Sequence, residues 1–80
     1  MAKRRVKFTF PTALVTEAII YELGHMYKIV TNIRRADVRE DMGWVVLELE
    51  GLEEEINNGL DWVAGKGVRV DPASGDVIEG

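Results

Sequence analysis

Eighty residues make one domain near the lower size at which a hydrophobic core folds without staples, and the absence of cysteine removes disulfides and thiolate metal sites. With 46% apolar and 30% charged residues the chain is too apolar to be disordered. A formal net charge of −4 argues against a general binder of nucleic acid or of anionic membranes, whose affinity comes from neutralising phosphates.

From Arg5 to Phe10 the chain alternates, with Val6, Phe8 and Phe10 on one side and Arg5, Lys7 and Thr9 on the other, as a half-buried strand does. Lys3, Arg4, Arg5 and Lys7 crowd this stretch and read as a solvated tail plus the outward side of an edge strand. Pro11 ends the strand, and Thr12 is placed to cap a helix from Ala13 to about Tyr27. In that helix Val15, Ile19, Leu23 and Met26 form one buried stripe. A second strand spans about Lys28 to Val38 and a third Trp44 to Glu50, joined at Asp41-Met42-Gly43 by a hairpin turn. The apolar residues of the second strand switch parity along its length, which requires either a bulge or burial on both sides.

On the third strand Val45, Leu47 and Leu49 share one face, while Trp44, Val46, Glu48 and Glu50 share the other. After Gly51 a second helix places Leu52, Ile56, Leu60 and Val63 on one side. It opens on Glu53, Glu54 and Glu55, where negative charge meets the positive end of the helix dipole, and Asn57-Asn58-Gly59 makes a poorly helical middle. Gly65 and Gly67 close it, and Val68-Arg69-Val70 reads as a last short strand. The single domain fills residues 1–80, with a core over about 5–71 and a loose tail over 72–80.

The order β-α-β-β-α-β is that of an α+β, ferredoxin-like two-layer sandwich, a four-stranded antiparallel sheet with two helices on one face. The uncovered face carries Trp44 and Val46, together with either Ile29 and Ile33 or Val30, Ala36 and Val38 according to the register of the second strand. Such a patch is a liability in a small monomer, so the expectation is a homodimer joined through this face or its edge, with Trp44 and Val46 at the interface.

Catalysis is not expected. The only serine is Ser74 in the tail, and the only histidine, His25, falls at the end of the first helix, where it complements the dipole. One histidine and scattered carboxylates give no metal-ligand spacing, and no cofactor is implied. Gly65-Lys66-Gly67 lacks the leading glycine and the hydroxyl residue of a phosphate loop and ends a helix instead of opening one. An RNA-recognition sheet needs basic neighbours for its aromatics, whereas Glu48 and Glu50 share the face of Trp44. Phe10-Pro11-Thr12 lacks the arginine that an acylphosphatase carries there. No apolar run approaches the ~20 residues of a membrane span, and no hydrophobic segment of signal-peptide type follows the basic start, so a cytoplasmic protein is expected.

Asn32 interrupts the β-branched run Ile29-Val30-Thr31-Asn32-Ile33, an unfavourable strand position for an amide unless the amide is wanted. Asn32-Ile33-Arg34, the hairpin closed by Gly43, the strand end Glu48-Leu49-Glu50-Gly51 and the helix bearing Trp62 follow one another in an order and spacing that resemble the NIL domain. The resemblance runs from Val6 to about Val70. It implies a non-enzymatic regulatory module of the kind found at the C-terminus of the ATPase subunit of methionine importers, where a dimer binds methionine, or fused to ferredoxins in sulfur amino-acid metabolism. By resemblance, Asn32 holds the polar end of an amino acid and Ile33 lies beside it. Phe10 and Met26 are placed for soft contact with a thioether, although their periodicity also points them into the core. Arg34 stands where the family's name calls for leucine. Three outlets are open to its charge: a dimer seam, Glu48 or Glu50 on the neighbouring strand, or an anionic ligand group, the cross-strand pair being favoured. The expected partners are thus a second copy, a small amino acid, and a transporter ATPase or ferredoxin; the alternative is an adaptor subunit with no ligand of its own.

Overall fold

The computed structural model describes residues 1–11, 18–39 and 42–73. Its elements are β1 (Ala2–Phe10), α1 (Ile19–Met26), β2 (Ile29–Val38), β3 (Gly43–Gly51), α2 (Glu53–Gly65) and β4 (Arg69–Pro72). All pairings are antiparallel and the strand order is β2-β3-β1-β4, which is the expected two-layer α+β arrangement. Among the described residues no helix is long and apolar enough to cross a membrane.

One layer of side chains makes the core. Val6 faces Leu47 and Phe8 faces Val45 across the central strand pair, and Ile19 and Leu23 of α1 with Ile56 and Val63 of α2 close over them. Both helices therefore lie on the same side of the sheet. The other side carries Lys3, Arg5, Lys7 and Thr9 of β1 opposite Glu50, Glu48, Val46 and Trp44 of β3.

Several expectations are corrected. β1 is a central strand, not an edge, because β4 returns to pair with its outer side over Val6 to Thr9; Lys7 therefore lies in the middle of the open face, while Arg4 turns to the helical side. Ala18 precedes the first turn of α1, and Met26 is 57% exposed because it ends the helix beyond the sheet contact made by Ile19 and Leu23. Leu52 sits before the first turn of α2 and is also exposed. Thr12, Val15, Asp41 and residues 74–80, for which a cap, a buried position, a turn and a loose tail are expected, lie outside the described residues.

Asn57-Asn58-Gly59 does not interrupt α2, and Gly59 is buried. A Cβ there would stand 2.8 Å from the Cδ1 atoms of both Leu23 and Ile29, so glycine lets α2 settle onto α1 and β2. Gly59→Ala is expected to lose up to about 2 kcal/mol in urea denaturation, where helix propensity alone would bring a gain of about 1 kcal/mol. The acidic start of α2 also tethers the layer. Glu55 Oε1 accepts from the Lys28 backbone N–H at 2.9 Å, while Arg4 donates to Asn57 Oδ1 at 2.8 Å and lies 3.7 Å from Glu53.

Candidate functional site

β2 and the short β4 are the two edges of the sheet, and the register of β2 breaks once. Ile29 to Ile33 pair with Gly51 to Leu47, then Arg35 pairs with Val46, leaving Arg34 as the extra residue of a β-bulge. This resolves the parity switch in favour of the bulge. Ile29, Thr31 and Ile33 before it, and Ala36 and Val38 after it, all face the helical layer.

The first part of that row is covered, since Ile29 is buried and Gly24 of α1 lies against the Ile29 carbonyl and the Thr31 methyl. The second part is not: Ile33 is 55% and Val38 59% exposed although they face the helix side. The result is an apolar recess of about 270 Å³ between the start of α1 and the second half of β2. Phe10 and Val45 form its floor, Ile19, Ile20 and Tyr21 one wall, and Ile33, Ala36 and Val38 the wall along the free edge. It is slightly smaller than the roughly 300–1,000 Å³ of sites for larger ligands, and its lining offers an apolar side chain contact on several sides.

Of the residues singled out from the sequence, Phe10 and Ile33 are brought together here. Asn32 is exposed on the opposite face, opposite Glu48, and its side chain makes no hydrogen bond with any described residue. Arg34 is exposed at the bulge and does not pair with Glu48, whose carboxylate lies 3.3 Å from Arg5, its directly opposed neighbour on β1. Met26 stands at the other end of α1, about 10 Å along the helix from Ile19 at 1.5 Å per residue, and lines no part of the recess. Sequence reasoning missed Ala36, Val38, Ile20 and Tyr21. The signal was present in the spacing: an odd run ending at Ile33 followed by an even run from Ala36 keeps both on one face if one residue is extra.

On the open face Val46 is only 9% exposed, between Lys7 of β1 and Arg35 of β2 in the register. The Lys7 ammonium lies 5.2 Å from the centre of the half-buried Trp44 ring, close enough for a cation–π contact. Most acidic groups of this face have their own base: Glu48 has Arg5, Asp37 has Arg39 at 3.3 Å and Asp71 has Arg69 at 3.0 Å, while Glu50 stands opposite Lys3.

The NIL domain model matches residues 4–72. The fold is similar to the crystal structure of the C-terminal domain of an ABC transporter/ATP-binding protein from Enterococcus faecalis, with a TM-score of 0.75 over 86% of this chain and 81% of that one, at 16% identity. No curated protein matches at a significant level. The chain belongs to the NIL domain family and is a regulatory domain of that kind.

Proposed function

We propose that this domain is a non-enzymatic sensor that takes up methionine or a similar small apolar amino acid in the recess beside β2, as a homodimer joined along the β2 edge. The observation that carries the reading is the recess itself, a ligand-sized apolar hollow opening at an unpaired strand. Its volume suits one amino-acid side chain. Asn32 and Arg34 lie on the same free strand, where a second copy would place them at the seam, the amide and guanidinium serving the polar end of the ligand.

Dimerisation through the edge follows from the strand's liabilities. β2 is ten residues long, unpaired on one side, and carries the exposed Val30, Ile33 and Val38. The stretch before the bulge, Ile29 to Ile33, is the part of this edge that can template pairing with another chain, since the bulge and the charges at Arg34 and Arg35 interrupt it. Stacking of the two open faces through Trp44 and Val46 is the weaker geometry, because Val46 is already covered and like charges around it would meet. The family points to association with a transporter ATPase in the cytoplasm; the adaptor role without ligand is the competing reading. Calorimetry with L-methionine separates them. Binding to the wild type is expected, reduced at least tenfold in Asn32→Ala and abolished in Ala36→Phe, whose ring fills the recess; no heat at millimolar ligand would leave the adaptor.

A further inference from the structure

Around Val46 three cations converge. Lys7 opposes it from β1, and the bulge sets Arg34 and Arg35 together against it from β2. Among the described residues none of the three makes an ion pair, in a chain whose formal charge is −4. Arg5, Arg39 and Arg69 each lie within ion-pair distance of a carboxylate, and Asp71, the register neighbour of Lys7 on β4, is taken up by Arg69. Beside them on β3 lies the partly exposed ring of Trp44.

We propose that this open-face cluster docks an acidic segment of a partner protein, its carboxylates meeting Lys7, Arg34 and Arg35 and an apolar side chain resting on Trp44. Charge complementarity is the ground for choosing this occupant. Unpaired guanidinium and ammonium groups on a rigid sheet present fixed donors to carboxylates, and arginine does so bidentately. The exposure of Arg34 and Arg35 keeps the desolvation cost low, so the contact governs encounter and orientation and is sensitive to salt. A continuous nucleic-acid backbone fits less well, because Glu48 and Glu50 run down the same face on β3 and would meet its phosphates. A peptide can space its carboxylates to avoid them. A second copy fits no better, since in a two-fold face-to-face contact the cluster would meet itself. The surface lies on the opposite side of the sheet from the recess and does not depend on ligand binding there.

The test is an amide chemical-shift titration of the whole chain with the peptide Glu-Glu-Phe-Glu-Glu-Leu. Shifts confined to Thr9, Trp44, Val46 and Arg35, weakening several-fold between low and physiological salt, are expected. Lys7→Glu with Arg35→Glu should weaken the titration at least tenfold, and Arg34→Glu alone, on the exposed bulge, should weaken it several-fold if the double variant fails to fold. Ala36→Phe should leave it unchanged. The proposal is overturned by an absence of shifts at millimolar peptide, by shifts centred on the helices or the recess, or by full binding to the charge-reversed variants. It is equally overturned if oligothymidylate moves the same amides at lower concentration, or if concentrating the protein alone does so.

Discussion

Truncating Phe8 to alanine is expected to cost about 3–5 kcal/mol, the usual range for a fully buried aromatic. Phe8 is 0% exposed, lies on a central strand and faces Val45 across the pair, with its ring edge-on to Phe10 at 6.2 Å. Eighty residues at about 0.05–0.15 kcal/mol each give a domain of this size roughly 4–12 kcal/mol in total. The loss is thus a large share of the whole, and thermal unfolding followed by circular dichroism should show a midpoint lower by well over ~10 °C at about 4–8 °C per kcal/mol. Cavity formation adds to the lost transfer energy here because both flanking strands hold the site open. Met26→Ala is the control. Its side chain is 57% exposed at the end of α1, so the change should stay within about 0.5 kcal/mol.

Gly51→Ala is expected to be the most damaging single-methyl addition. A Cβ at Gly51 would lie 2.7 Å from the carbonyl oxygen of Lys28, a backbone atom with no rotamer to change. Lys28 cannot retreat easily, since its N–H is held by Glu55 and the next residue, Ile29, is the register partner of Gly51. Relief requires the start of β2 to part from the end of β3, with a cost of about 1–3 kcal/mol. Urea unfolding should register that loss, and amide shifts should spread along Lys28 to Val30. Gly65→Ala, where a Cβ would meet nothing within 4 Å, should be neutral or stabilising by up to about 1 kcal/mol.

These sites show where sequence carries structure and where it does not. Alternation in Val6-Phe8-Phe10 and Val45-Leu47-Leu49 marks the two central strands because a half-buried strand has a period of two residues, and the observed registers follow it. The glycine after α2 is equally legible, since Gly67 takes a positive φ of 98°. What the pattern does not contain is pairing order: nothing local to Val6-Lys7-Phe8-Thr9 says that a strand from the far end of the chain will flank them and turn an expected edge into a centre. Helix propensity likewise misjudges Gly59, whose value lies in what it allows Leu23 and Ile29 to occupy.

The recess was half legible. Phe10 and Ile33 carry apolar character that any reading would mark, but Ala36 and Val38 join them only because Arg34 is an extra residue in β2. A single inserted position reverses the parity of everything after it, and the face of the later residues cannot be assigned until the register is known. The same bulge puts Arg34 in solvent, so its charge is not buried. Asn32, the most conspicuous residue in the sequence, is separated from the recess by the thickness of its own strand, and only assembly along the edge gives it a part in the same site.

The proposed seat for an amino-acid side chain is the hollow between α1 and the second half of β2. Isotope-filtered NOE spectra of the whole chain with L-methionine should show contacts from the methionine methyl group to Ile33, Ala36 and Val38, lost in Ala36→Phe. Contacts to Trp44 and Val46 on the other face, or none at saturating ligand, would contradict that seat.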